Sequence, residues 1–155
     1  MKRYIVISSI TLVGVFLIFG AGYFGFQFST DKGSVIRQMI ELDSIPLTVE
    51  IANTKEKQQK GLGGRKSLST DAGMLFDFGA SGSLGIWMKG MSFPIDIFWF
   101  DESFKIVDIE KNVSPDTYPQ VFYPDVSSRY VLETNAGFAE AHLIKKGDKL
   151  TFPNL

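Results

Sequence analysis

The chain has 155 residues, one histidine and no cysteine. That bounds it to one compact domain plus a tail or anchor and excludes disulfides, thiolate metal sites, iron–sulfur clusters and cysteine nucleophiles. Sixteen basic against 17 acidic residues give a formal net charge of −1, so no basic field exists to gather nucleic acid, and a single imidazole excludes a multi-histidine metal centre.

Tyr4 to Phe28 is a 25-residue run without a charge, preceded by Lys2 and Arg3 and followed by Asp31 and Lys32. About 20 apolar residues cross a bilayer core, so residues 1–28 read as an N-terminal transmembrane helix, a signal anchor. A cleaved signal peptide would carry a shorter apolar stretch ending in small residues, whereas this one ends in Tyr23-Phe24-Gly25-Phe26. The two leading cations stay in the cytoplasm. The expected location is the membrane, single-pass, with the C-terminal domain extracytoplasmic and with a net charge of −3 over residues 29–155.

Residues 29–44 read as a tether with a short helix over Val35 to Leu42, and residues 45–155 as a β-rich domain. Ile45, Leu47, Val49 and Ile51 alternate with Pro46, Thr48 and Glu50, the pattern of a half-buried strand. Thr54 is placed to cap a polar helix from Lys55 to Lys60 that stops at Gly61. Gly73–Phe78 and Gly85–Lys89 are short apolar runs bounded by glycine and serine, which predicts strands deep in a sheet. Ile95–Phe100 and Lys105–Glu110 flank Asp101-Glu102-Ser103 and predict a hairpin. Lys111 to Ser128 carries Pro115, Pro119 and Pro124 among Tyr118, Phe122 and Tyr123 and predicts a long irregular loop. Arg129–Thr134 predicts a strand, Asn135–Leu143 a helix capped by Asn135, and Lys149–Phe152 a closing strand. The fold class is mainly β, a β-sandwich or barrel-like single domain with two short helices.

Five strings arrive in one order: Lys60-Gly61-Leu62-Gly63-Gly64-Arg65, Gly73-Met74-Leu75-Phe76, Trp87-Met88-Lys89-Gly90-Met91, Phe93-Pro94-Ile95-Asp96-Ile97, and Val131-Leu132-Glu133 with Ala136-Gly137. Together they resemble the domain-of-unknown-function family 192 over about Pro46 to Phe152. The resemblance implies a compact, mostly β domain and no established reaction. This chain departs from the family pattern where Gly63 takes a methionine position and where Gly90-Met91 replace Asn-Thr.

Few side chains offer chemistry. A triad would need His142, which reads as a helix-surface residue, and no Gly-x-Ser-x-Gly elbow exists. Gly61 to Ser67 lacks the spacing of a phosphate loop. Asp96 and Glu133 both lie in strand patterns, and two carboxylates roughly 5 to 9 Å apart can run glycoside hydrolysis, so they are the catalytic candidates. Asp77, Asp101 and Asp108 are oxygen donors without a calcium-loop spacing, and neither a metal nor a cofactor is expected. Core packing accounts for Trp87 and Trp99, while Tyr118 and Tyr123 are freer to stack on a ligand. Asp96 shares a face with Phe98 and Phe100 on a strand apolar on both sides, which makes that strand central and the carboxylate desolvated. Arg65, Lys89, Asp96 and Glu133 sum to zero charge, and the planar guanidinium of Arg65 is the expected partner of Asp96.

The candidate binding residues are therefore Arg65, Trp87, Lys89, Asp96, Tyr118, Tyr123 and Glu133. The leading expectation is a membrane-tethered extracytoplasmic binding or interaction module for an envelope polymer or a neighbouring protein, without nucleic acid. The alternatives are a carboxylate-dependent hydrolase acting on an envelope glycan and a structural accessory of a membrane complex.

Overall fold

A computed structural model describes residues 35–153. The anchor expected over residues 1–28 lies outside the described residues, and within them no helix is long and apolar enough to cross a membrane.

The alternating stretch forms β2 (Ile45–Ala52), and its first neighbour is β1 (Arg37–Leu42), paired antiparallel across a turn at Asp43 and Ser44. The helix expected over 35–42 is thus a strand. Ile40 and Leu42, two apart, bury completely on one face while Met39 stays exposed on the other, the period of a sheet surface. After β2, Thr54 caps α1 (Lys55–Lys60) by accepting from Lys57 N at 3.3 Å, and Gly61 closes it with its N–H on Lys57 O. This helix makes the crossover to β3 (Ala72–Gly82), which lies parallel to β2.

Asp101 organises the predicted hairpin of β5 (Ile95–Phe100) and β6 (Ile106–Val113), accepting from Ser103 N and Lys105 N. β8 (Ser128–Asn135) runs antiparallel to both β3 and β5, and β9 (Leu150–Thr151) joins the far side of β1. The order β6-β5-β8-β3-β2-β1-β9 makes a seven-stranded sheet. The start of β6 reaches the turn before β9, where Ile106 N donates to Asp148 O at 2.8 Å and Gly147 N to Ile106 O at 2.9 Å. The expected sandwich or barrel is therefore one curled sheet, a half-barrel, with two short helices among the described residues.

Curling separates two cores. Ile40, Leu47, Leu75, Phe98, Phe100 and Leu132 fill the enclosed face. Met74, Phe76, Ile97, Trp99 and Val131 form the outer face, roofed by Leu62, Ile86 and Met88. Every residue of β5 is buried, as a strand apolar on both faces requires, and each large side chain removed from water contributes roughly 1.5–3 kcal/mol.

The segment 111–128 is more regular than predicted. β6 continues to Val113, a 3-10 turn spans Pro115–Thr117, and β7 (Val121–Phe122) pairs with β4 (Ile86–Trp87) in a two-stranded sheet over the outer core. The helix predicted from Asn135 is shorter: α2 spans Phe138–Ala141, with Gly137 as its N-cap residue. Asn135 does not cap it, since its amide donates to Leu68 O and Ser69 O. Asp96 does that work from the neighbouring strand.

Candidate functional site

Register decides what the two candidate carboxylates do. Asp96 stands opposite Thr134 and Ile97 opposite Glu133, so the side chains of Asp96 and Glu133 project to opposite faces of the sheet. They form no acid–base pair. Asp96 is fully buried on the enclosed side and accepts from Asn112 N (2.8 Å), Ala139 N (2.8 Å) and Gly137 N (3.3 Å). Three backbone amides, two at the start of α2 and one in β6, replace the cation expected beside it.

Arg65 instead grips Glu50 of β2 through both nitrogens, at 3.0 and 2.5 Å, and Arg37 approaches the same carboxylate at 3.5 Å. The hydrogen bond from Arg65 holds the Glu50 carboxyl below its ordinary range. The fork was expected correctly and its partner was not. Charge balance taken over the family-like strings left out Glu50, which alternation places facing away from the enclosed core.

Glu133 is the unusual group. It lies on the outer face with 5% of its surface exposed, and its Oε2 has no hydrogen-bond partner. Burial raises its carboxyl to about 8, opposed only by the positive charge of Arg65. The acid is therefore neutral at pH 7 and able both to donate and to accept a hydrogen bond. A buried polar atom without a partner costs about 1–3 kcal/mol, and such atoms call for an explanation.

Glu133 lines an open cavity of about 250 Å³. α1 and the glycine-rich turn form one wall, with Lys55, Lys60, Gly61 and Gly63; Phe76 and Phe78 of β3 and Trp87 and Lys89 of the β4 segment form the others. Trp87, assigned to the core from sequence, is 44% exposed at this site, with Lys89 Nζ 5.4 Å from its ring centroid and Tyr118 edge-on at 6.3 Å. Trp99 is the core tryptophan, fully buried with Nε1 donating to Leu84 O. Tyr123 is exposed, and its ring packs so close to Gly85 that a Cβ there would come within 2.6 Å of it.

Glycine is required where the chain departs from the family pattern. A Cβ on Gly63 would lie 2.9 Å from Lys60 O and 3.0 Å from Lys89 O, and Gly64 N donates to Gly90 O at 2.9 Å. The two departures thus touch: the turn after α1 is laid directly on the turn after β4. Both turns border the cavity.

Of the residues named from sequence, Trp87, Lys89 and Glu133 line one cavity. Tyr118 and Tyr123 pack against its walls, Arg65 acts on Glu133 through space, and Asp96 is elsewhere. The walls from α1 and β3 were missed, since a polar helix and a buried strand carry no chemical signature. A second cleft of about 440 Å³ is lined by Arg37, Glu50, Arg65, Ser67 and Asp71, and there Glu50 and the arginines satisfy one another. Asp77, Asp101 and Asp108 are engaged locally: Asp77 with Gly79 N and Arg129, Asp101 with its own turn, and Asp108 with Lys146. Among the described residues no group of three His, Cys, Asp or Glu gathers to hold a metal. His142 is exposed at the end of α2, against Phe138.

The geometry defines a half-barrel domain with an acid-floored cavity on its outer face. The model of the DUF192 family, described as "Uncharacterized ACR", matches residues 38–152, and the chain belongs to that family. The fold is similar to that of a Sinorhizobium meliloti 1021 protein titled a "putative transcription regulator". The two are 30% identical, with a TM-score of 0.74, over 80% of this chain and 99% of that one. It is also similar to a protein of unknown function from Novosphingobium aromaticivorans, 25% identical with a TM-score of 0.69, over 80% of this chain and 89% of that one. No curated protein matches the sequence.

Proposed function

We propose that this is a binding module, held at the membrane by residues 1–28 with its domain extracytoplasmic, whose cavity takes one unit of an envelope polymer. One observation carries the reading: Glu133, with a carboxyl oxygen buried without a partner, lines an open cavity walled in part by aromatic rings. Ligand sites combine apolar walls with a few converging polar groups, and an incoming hydroxyl or carbonyl would supply the partner that Glu133 lacks. The opposed carboxylates of β5 and β8 favour binding over the two-acid hydrolysis weighed from sequence. A nucleic-acid ligand is disfavoured, because the net charge of −3 over residues 29–155 repels a phosphate backbone.

A thermal-shift screen of the full chain in detergent against neutral and charged sugars and cell-wall fragments tests this reading. A ligand at 100 times its Kd adds about 2.7 kcal/mol. The expected result is a stabilising ligand whose effect disappears in Glu133→Ala. A screen without a stabilising compound, or one whose effect survives in that variant, contradicts the reading.

A further inference from the structure

Glu133 is the sole acidic side chain among the described residues lining its cavity, whereas Lys55, Lys60 and Lys89 line the same walls. Three elements around the cavity carry positive charge: α1 through Lys55 and Lys60, the glycine-rich turn through Arg65, and the β4 segment through Lys89; of these Arg65 is the one that acts on the carboxyl. Arg65 is committed to Glu50 by its two hydrogen bonds, so the lysines are the cations presented to an occupant. The floor is of opposite character. Oε2 of Glu133 is buried and unpartnered, and with its carboxyl pushed up to about 8 it retains its proton at neutral pH and offers an uncharged donor. Aromatic side chains line the same cavity. Phe76 and Phe78 stack at 6.2 Å, and Trp87 exposes part of its indole.

A ligand matching these walls has an anionic group at the mouth, a ring with an apolar face, and an oxygen acceptor at the buried end. We infer that the cavity takes a uronic-acid-type sugar unit, its carboxylate toward Lys55, Lys60 and Lys89, its ring on Trp87, and an inward hydroxyl accepting from Glu133. This rests on the binding reading above and specifies its ligand. An amino sugar meets three like charges at the mouth, and a neutral sugar forgoes the attraction. Ionisation of Glu133 removes the donor and sets a negative charge on the floor against an anionic ligand, so occupancy falls as pH rises through the titration of that carboxyl.

Calorimetric titration of the full chain in detergent with glucuronate, glucose and glucosamine at pH 6.5 and 9 tests the inference. At pH 6.5 glucuronate binds tightest and glucosamine, cationic there, weakest. The glucuronate affinity falls about tenfold between the two pH values, as the competent fraction falls. Glu133→Gln, which cannot ionise, binds more weakly than the parent but alike at both pH values. Lys89→Gln, a change at an exposed side chain, narrows the preference of glucuronate over glucose severalfold. Equal or tighter binding of glucose or glucosamine, a pH dependence that persists in Glu133→Gln, or an unchanged preference in Lys89→Gln overturns the inference. If none of the three sugars binds, the inference fails, while the binding module stands or falls separately on the wider screen.

Discussion

Asp96 and Glu133 occupy neighbouring antiparallel strands one register step apart and point to opposite faces of the sheet. One is saturated by three backbone amides and the other has a carboxyl oxygen with no partner. Their variants should therefore separate stability from binding. Asp96→Asn turns an amide group toward N–H donors and should lower stability by about 1–3 kcal/mol, the cost of unsatisfied buried hydrogen bonds, with ligand affinity unaltered. Denaturant midpoints measure the first effect and titration the second; an unchanged midpoint would show that the cap on α2 contributes nothing.

Glu133 should make the protein less stable as pH rises. Its carboxyl is at about 8 in the fold against 4.5 for the free group. Between these values the folded state holds a proton that the unfolded chain has lost, so stability falls with pH by up to roughly 1.4 kcal/mol per unit and levels off above about 8. Glu133→Gln should flatten that decline between pH 5 and 8. The opposite arm belongs to Glu50, whose carboxyl is held low by Arg65 and whose contribution is lost as pH falls below the ordinary carboxylate range. Chemical denaturation across pH checks both arms, and an identical slope in the glutamine variant would refute the assignment.

Arg65→Lys keeps the charge but loses the planar fork on Glu50. The pair is partly exposed, so the cost should be about 1 kcal/mol or less. Removing the charge with Arg65→Gln should also lift the Glu133 titration further, because Arg65 opposes the effect of burial there. A pH profile of stability in this variant that stays where the parent's lies would contradict the through-space coupling.

Gly63→Ala should be destabilising by about 1–3 kcal/mol, since its Cβ would strike two backbone carbonyl oxygens that cannot give as a side chain would. The two turns bordering the cavity would move apart, and ligand affinity should fall with stability. Trp87→Ala should behave differently. Its ring is 44% exposed, so less stability is lost than the 3–5 kcal/mol of a core tryptophan truncation, whereas sugar binding should drop at least tenfold. A thermal melt and a titration of each variant distinguish the two patterns.

What the sequence disclosed follows from which forces are local. Apolar residues on both faces of Ile95–Phe100 identified the strand now found between β6 and β8, and Thr54 and Gly61 marked both ends of α1. Strand β1 was misread because Val35, Ile36, Met39, Ile40 and Leu42 satisfy a helical spacing as well as a strand period, and only pairing with β2 chooses between them. Asn135 looks like a cap until its amide finds carbonyls 66 and 67 residues earlier in the chain. Both candidate carboxylates were visible within strands. Which face each takes was not, because one register step between β5 and β8 settles it and no local signal encodes that step.

On the proposed reading Glu133 is a protonated, ligand-ready acid on the floor of the cavity. Carboxyl-carbon NMR of the full chain in detergent, followed from pH 4 to 10 with and without glucuronate, addresses it directly, with Glu133→Gln identifying the resonance. The expected result is a midpoint near 8 that moves upward when glucuronate binds, because the ligand prefers the protonated acid. A midpoint near the ordinary glutamate value, or one that glucuronate leaves in place, would contradict it.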